Sequence, residues 1–187
     1  MLVIGITGQP LSGKDTVAEY LAERGFVHIS GGEMIREEMT KLSLPTDRAS
    51  INKFVAKRRQ ERGAGYLSEE IAESIKGDTV VSGFRNTAGV EIFRKKFGND
   101  FFLIAVEAPL DTRYDRAKAR GRIGDDISFE QFKQEEEEER GGSTFFEVDK
   151  VISLADYLIV NDGPKEELNT KVDKIIEEIK WKTRIKI

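Results

Sequence analysis

The stretch Gly8-Gln9-Pro10-Leu11-Ser12-Gly13-Lys14-Asp15-Thr16 constrains this chain more than any other. It follows Leu2-Val3-Ile4-Gly5-Ile6, an apolar run rich in branched residues that reads as a buried strand. It precedes Val17 to Arg24, which reads as a helix. A strand, a glycine loop ending in Gly-Lys and a helix together make a phosphate cradle. Successive backbone N–H groups point into one hollow, and the helix N-terminus adds its partial positive charge. Gly8 and Gly13 permit the backbone angles and the close approach that the curl requires. On this reading Gly8, Gln9, Pro10, Leu11, Ser12, Gly13, Lys14, Asp15 and Thr16 hold ATP. Lys14, on a solvent-facing loop, meets the β- and γ-phosphates, and Asp15 or Thr16 joins the shell of Mg2+. The common motif has Ser or Thr directly after the lysine. Here Asp15 stands there, and Thr16 comes one place later.

A length of 187 residues suits one domain with a full core. A net charge of −4 argues against nucleic acid or an anionic membrane surface as a general partner. With no cysteine, disulfides, thiolate metal sites and a cysteine nucleophile are excluded. No apolar run approaches the roughly 20 residues of a membrane span. Met1 leads straight into the first strand, so no signal peptide and a cytoplasmic location are expected.

Further along, Phe26-Val27-His28-Ile29 reads as a second strand after the Gly25 stop. His28 is the only histidine, and a packed or solvated role suits it better than that of a base. Ser30 or a neighbouring glycine caps the helix that begins near Gly31. Asp47 caps the next one, which carries Ile51, Phe54 and Val55 on one side and Lys53, Lys57, Arg58 and Arg59 on a solvated face. Tyr66 to Lys76 is another helix, so 31–76 forms a helical insert between strands.

Asp78 to Arg85 returns to a strand, with Gly83 and Arg85 at the end where open parallel sheets bind ligands. Thr87 to Phe97 is helical, and Phe101 to Val106 is a strongly apolar strand expected at the sheet centre. Pro109 opens a helix whose Arg113, Arg116 and Arg120 share one face. Gly121-Arg122-Ile123-Gly124-Asp125-Asp126 is a glycine-rich connection, and Glu135 to Glu139 reads as an exposed helical face. Asp156 to Val160 is the last strand, and Trp181 lies in the tail after a final helix opened by Pro164. Strands alternating with helices predict an α/β fold: three layers around a parallel five-stranded sheet.

With those residues in view, the chain resembles the nucleoside monophosphate kinase group of phosphate-loop proteins. It is most similar to archaeal adenylate-kinase-related and dephospho-CoA-kinase-like proteins. His28-Ile29-Ser30-Gly31-Gly32-Glu33-Met34-Ile35-Arg36 is similar to the segment opening the acceptor-binding helices of adenylate kinases. The resemblance implies that Arg36 holds the acceptor phosphate. Val80-Val81-Ser82-Gly83-Phe84-Arg85 is similar to their strand ending in Asp-Gly-Phe-Pro-Arg, which implies the same role for Arg85 and places Gly31 and Gly83 beside the acceptor. Residues 121–126 resemble the end of their lid, so the resemblance implies a short lid at 120–127 and a role for Arg116, Arg120 and Arg122 in stabilising the transferring group. Ala155 to Asp162 is similar to the last strand of dephospho-CoA kinases and the loop near their adenine. Two departures stand out. Ser82 replaces an aspartate that orients the metal's waters, and the proline before the arginine is absent.

The chemistry agrees with the resemblance. Transfer between phosphates gathers several negative charges in one cleft, and catalysis needs positioning and neutralisation. Arginine forks match phosphate oxygens and stay charged. The expected activity is transfer of the ATP γ-phosphate to a nucleoside monophosphate or related small acceptor. A dephospho-CoA kinase, with Glu33 the nearest residue for a base, is one alternative. A regulatory nucleotide-binding NTPase without an acceptor, which Ser82 favours, is the other.

Overall fold

The structure, a computed structural model, describes residues 1–121, 126–140 and 147–185. Five apolar runs form strands: β1 (Val3–Thr7), β2 (Val27–Ser30), β3 (Thr79–Phe84), β4 (Phe101–Glu107) and β5 (Tyr157–Val160). They make one parallel sheet in the order β2-β3-β1-β4-β5. The central strand is therefore β1 and not β4, which lies between β1 and β5. Burial on both faces makes β1 and β4 equally apolar, so hydropathy alone does not separate them.

The helices are α1 (Lys14–Ala22), α2 (Gly31–Lys41), α3 (Arg48–Arg62), α4 (Tyr66–Ser74), α5 (Thr87–Phe97), α6 (Leu110–Arg120), α7 (Phe129–Arg140), α8 (Val148–Ser153) and α9 (Lys165–Ile185). One face of the sheet packs Ile4, Ile6, Val80, Ile104 and Val106 against α1 and α9. The other packs Val3, Val81, Phe101 and Leu103 against α4, α5 and α8. Three layers result, as expected. The short helix α8 was not anticipated, and α9 continues through Trp181, which is exposed on it. Pro109 and Pro164 both stand just before the first helical residue, with Pro109 at the N-cap.

Local caps follow the sequence closely. The Ser30 hydroxyl accepts from the Glu33 N–H at 3.3 Å, and the Asp47 carboxylate accepts from the Ser50 N–H at 3.0 Å. Those caps set where α2 and α3 begin. The insert between β2 and β3 thus rises from the C-terminal end of β2, the same edge of the parallel sheet at which the phosphate loop leaves β1.

One irregularity positions the site. Ile6 pairs with Ser82, but Thr7 pairs with Phe84, so Gly83 is an extra residue in β3. Gly83 has φ 101°, a left-handed angle that glycine adopts without strain. The bulge reverses the alternation. Ser82 points to the α1 side, while Phe84 turns into a ring cluster, 4.9 Å from Phe93 and 5.8 Å from Phe101. The Thr7 hydroxyl donates to the Phe84 carbonyl at 2.8 Å and clamps the end of β3 beside the loop. Arg85 leaves the sheet at that clamp.

Candidate active site

The glycine loop is held from outside. Arg116 Nη1 donates to the carbonyls of Leu11 at 3.1 Å and Ser12 at 3.3 Å, and Arg116 Nη2 donates to the Asn161 carbonyl at 3.2 Å. Asn161 Nδ2 donates to the Ser12 carbonyl at 2.8 Å, and Arg113 Nη1 to the Pro10 carbonyl at 3.4 Å. Three successive carbonyls are thus turned outward onto fixed donors. Leu11 has φ 64°, an angle that costs a branched residue about 1–3 kcal/mol. The guanidinium on its carbonyl helps to keep it there. Gly13, with φ 96°, forms the N-cap of α1, and a side chain at that position would collide with Asn161.

This bracket corrects the reading of Arg116 as a lid arginine. Its fork faces the outer side of the loop and it does not line the cleft. Arg113 is also turned away. It is 2% exposed and pairs with Glu136, which is 5% exposed. Glu136 therefore leaves the exposed face assigned to the acidic run and becomes the buried partner of α6. Of the three arginines on α6, Arg120 lines the cleft. Arg122 lies outside the described residues, as do residues 123–125 of the expected lid.

The cleft measures about 490 Å³ and opens between the loop, the ends of β2 and β3, and the helical insert. Pro10, Leu11, Lys14 and Asp15 line it from the loop. Gly31, Gly32 and Arg36 line it from α2, and Ser82, Gly83 and Arg85 from β3. The expected acceptor residues Gly31, Arg36, Gly83 and Arg85 are therefore brought together with Lys14. Among the described residues five basic ones line the cleft, Lys14, Arg36, Arg59, Arg85 and Arg120, against two carboxylates, Asp15 and Asp47. A surplus of positive charge in a partly enclosed hollow favours an anionic occupant.

Lys14 is not solvent-facing. It is buried, and burial pushes its ammonium below the usual lysine range. The Asp15 carboxylate, 3.6 Å away, opposes that shift, while Arg85 and Arg120 add to it. Arg59, assigned above to a solvated face, lines the cleft instead. Burial lowers its pKa, and the charge of Arg85 acts in the same direction. Tyr66, missed from sequence, lines the same wall and is 3% exposed. Neither carried a motif signal, because α3 and α4 are placed by packing.

Ser82 is buried on the cleft floor, and its hydroxyl lies 3.0 Å from His28 Nε2. The lone histidine is therefore a packed neighbour of the residue that replaces the expected aspartate. Glu33 is exposed and lies outside the cleft lining, so the nearest candidate base for a hydroxyl acceptor faces elsewhere.

Two observations bear on a nucleotide and its metal. The Ser12 hydroxyl is buried in the loop without a hydrogen-bond partner among the described residues, as suits a cradle for phosphate. Gly8 packs directly against it and the Val106 carbonyl, leaving no room for a larger side chain. Among the described residues no cluster of three or more His, Asp or Glu is arranged to hold a metal alone. Asp15 lines the cleft, whereas Thr16 is half-buried and does not, so the carboxylate is the better placed side chain. No described helix is long and apolar enough to cross a membrane.

A parallel sheet whose first strand enters a glycine loop braced over a basic cleft defines a phosphate-loop fold. Residues 4–141 match the family model described as AAA domain. The chain is 35% identical over 185 residues to a UPF0200 protein of Thermococcus onnurineus, covering 95% of this chain and 98% of that one. It belongs to the UPF0200 family. Its fold is similar to that of shikimate kinase from Acinetobacter baumannii in complex with shikimate, with a TM-score of 0.61, 16% identity and coverage of 95% and 94%. A gluconokinase from Sinorhizobium meliloti is similar with a TM-score of 0.58, 13% identity and coverage of 97% of each chain. At such identities the likeness to these two structures is one of fold.

Proposed function

We propose that this protein is an ATP- and magnesium-dependent phosphotransferase of the nucleotide-kinase type. Its acceptor is a nucleoside monophosphate or a related small phosphorylated molecule. The observation that carries this reading is the convergence of Lys14, Arg36, Arg85 and Arg120 on one cleft beside the glycine loop. The loop amides and Lys14 hold the donor phosphates. Arg36 and Arg85 hold the acceptor, and Arg120 neutralises charge as the γ-phosphoryl group moves. The bond from the γ-phosphorus to the bridging oxygen breaks while a bond to an acceptor phosphate oxygen forms. Such a transfer is driven by alignment and electrostatic stabilisation. A phosphate acceptor needs no base to remove a proton, in keeping with Glu33 outside the cleft. Asp15 would hold Mg2+, which would supply further charge neutralisation.

The test is an acceptor screen with ATP and magnesium at elevated temperature, using nucleoside monophosphates and dephospho-CoA. Acceptor-dependent ADP formation with a monophosphate supports the reading. Slow hydrolysis unaffected by every acceptor would instead support a regulatory NTPase, and turnover with dephospho-CoA a hydroxyl acceptor.

Arg85→Ala is expected to raise the KM for the acceptor about ten- to a hundredfold and that for ATP far less, because one charged hydrogen-bonding partner is lost. Equal weakening of both substrates removes Arg85 from the acceptor side. Asp15→Asn keeps size and capping ability. It should sharply raise the magnesium needed for half-maximal rate while the melting temperature holds. A lower melting temperature with unchanged magnesium dependence leaves Asp15 only the helix-terminus role, worth about 0.3–1 kcal/mol.

A further inference from the structure

Tyr66 joins Ser12, Arg58 and Asn169 in holding a buried side-chain polar atom without a partner among the described residues. It is 3% exposed, yet its hydroxyl has no hydrogen-bond partner among the described residues. Buried polar groups are ordinarily satisfied, and an orphan in a cleft wall points to a ligand. Its neighbour in that wall is Arg59, a half-buried guanidinium brought in from α3. Arg85 and Lys14 line the same cleft. Lys14, Arg85, Arg59 and Tyr66 thus line one cleft that runs from the phosphate loop to the helical insert.

We propose that Arg59 and the Tyr66 hydroxyl, together with Arg85, form the anion subsite that selects the acceptor, binding an oxyanion that the acceptor carries. The proposal rests on the reading of the cleft as a phosphoryl-transfer site. A guanidinium only donates and a phenolic hydroxyl can donate, so an anionic oxygen, that of a phosphate or a carboxylate, satisfies both and matches the charge of the guanidinium. A neutral sugar or nucleoside offers the guanidinium no charge-assisted hydrogen bond. Gly65, at the N-cap of α4 and next to Tyr66, packs closely on the tip of the Ile92 side chain of α5.

Tyr66→Phe separates binding from folding. Removing an unsatisfied buried hydroxyl should leave the melting temperature of the unliganded protein unchanged or higher. The stabilisation produced by added orthophosphate should shrink, and the Kd for AMP should rise about three- to tenfold. Arg59→Ala should weaken AMP about ten- to a hundredfold, with adenosine unaffected in both variants. Titration with AMP and with gluconate assigns the oxyanion to a phosphate or a carboxylate. Unchanged phosphate and gluconate responses in both variants overturn the proposal, as does equal loss for AMP and adenosine. A non-hydrolysable ATP analogue titrated alone is the independent arm. If it fails to bind while the Tyr66 and Arg59 effects persist, the phosphotransferase reading fails and the anion subsite stands. If it binds and those effects are missing, the subsite alone falls.

Discussion

Lys14→Met is expected to reduce phosphoryl transfer about a hundred- to a thousandfold while the protein stays folded. The ammonium is the group closest in character to a preorganised donor for the charge on the transferring phosphoryl group, and loss of one such donor carries a penalty of about that size. Its environment makes the variant informative. Burial, Arg85 and Arg120 all lower the lysine pKa, against Asp15. In the unliganded protein the folded state therefore binds this proton less tightly than the unfolded state. Stability then rises with pH as Lys14 discharges, between the lowered folded-state pKa and the ordinary lysine value, and the full cost of its charge is present below that window. Methionine removes this cost and retains the apolar stem. The melting temperature at neutral pH should match or exceed that of the wild type, while ATP-dependent turnover is lost. Turnover preserved in a folded variant removes Lys14 from the donor site.

Glu136→Ala should act the opposite way, on stability first. Glu136 and Arg113 are both buried, and Arg113 also donates to the Ala108 carbonyl at 3.2 Å and reaches the Pro10 carbonyl. Removing the carboxylate leaves a guanidinium buried beneath the phosphate loop. Breaking such a pair costs about 3–5 kcal/mol. For a chain of this size that is a fall in melting temperature on the order of 10 °C. A double variant, Arg113→Met with Glu136→Leu, should recover most of the loss, because an apolar pair carries no uncompensated charge. Calorimetry of the three proteins checks this. A single variant as stable as wild type would show that water reaches the pair and screens it.

The loop motif was legible because its chemistry is local. Strand, glycine turn, lysine and helix follow one another within residues 2–24, and the backbone angles of Gly8 and Gly13 are what such a curl demands. Helix caps at Ser30 and Asp47 were legible for the same reason, since each acts across three residues. The alternation of strands and helices was enough for a parallel three-layer sheet, and glycine and arginine at the end of the third strand were enough to bring Arg85 to its mouth.

Contacts between distant elements were decided elsewhere. Arg113, Arg116 and Arg120 share a helix face by spacing, but spacing does not say what stands opposite each. Packing of α7 puts Glu136 against Arg113, the loop's outer carbonyls and Asn161 lie against Arg116, and Arg120 alone reaches the cleft. The Gly83 bulge is likewise a matter of register between two strands, invisible in the alternation of either. Arg59 and Tyr66 belong to helices whose orientation depends on the insert folding over the sheet. The sequence by itself determined the phosphate loop, the fold class and the helix caps, because local backbone geometry and residue periodicity carry them. Tertiary structure alone decided which charges are buried, which brace the loop and which face the cleft, because those depend on partners brought together from across the chain.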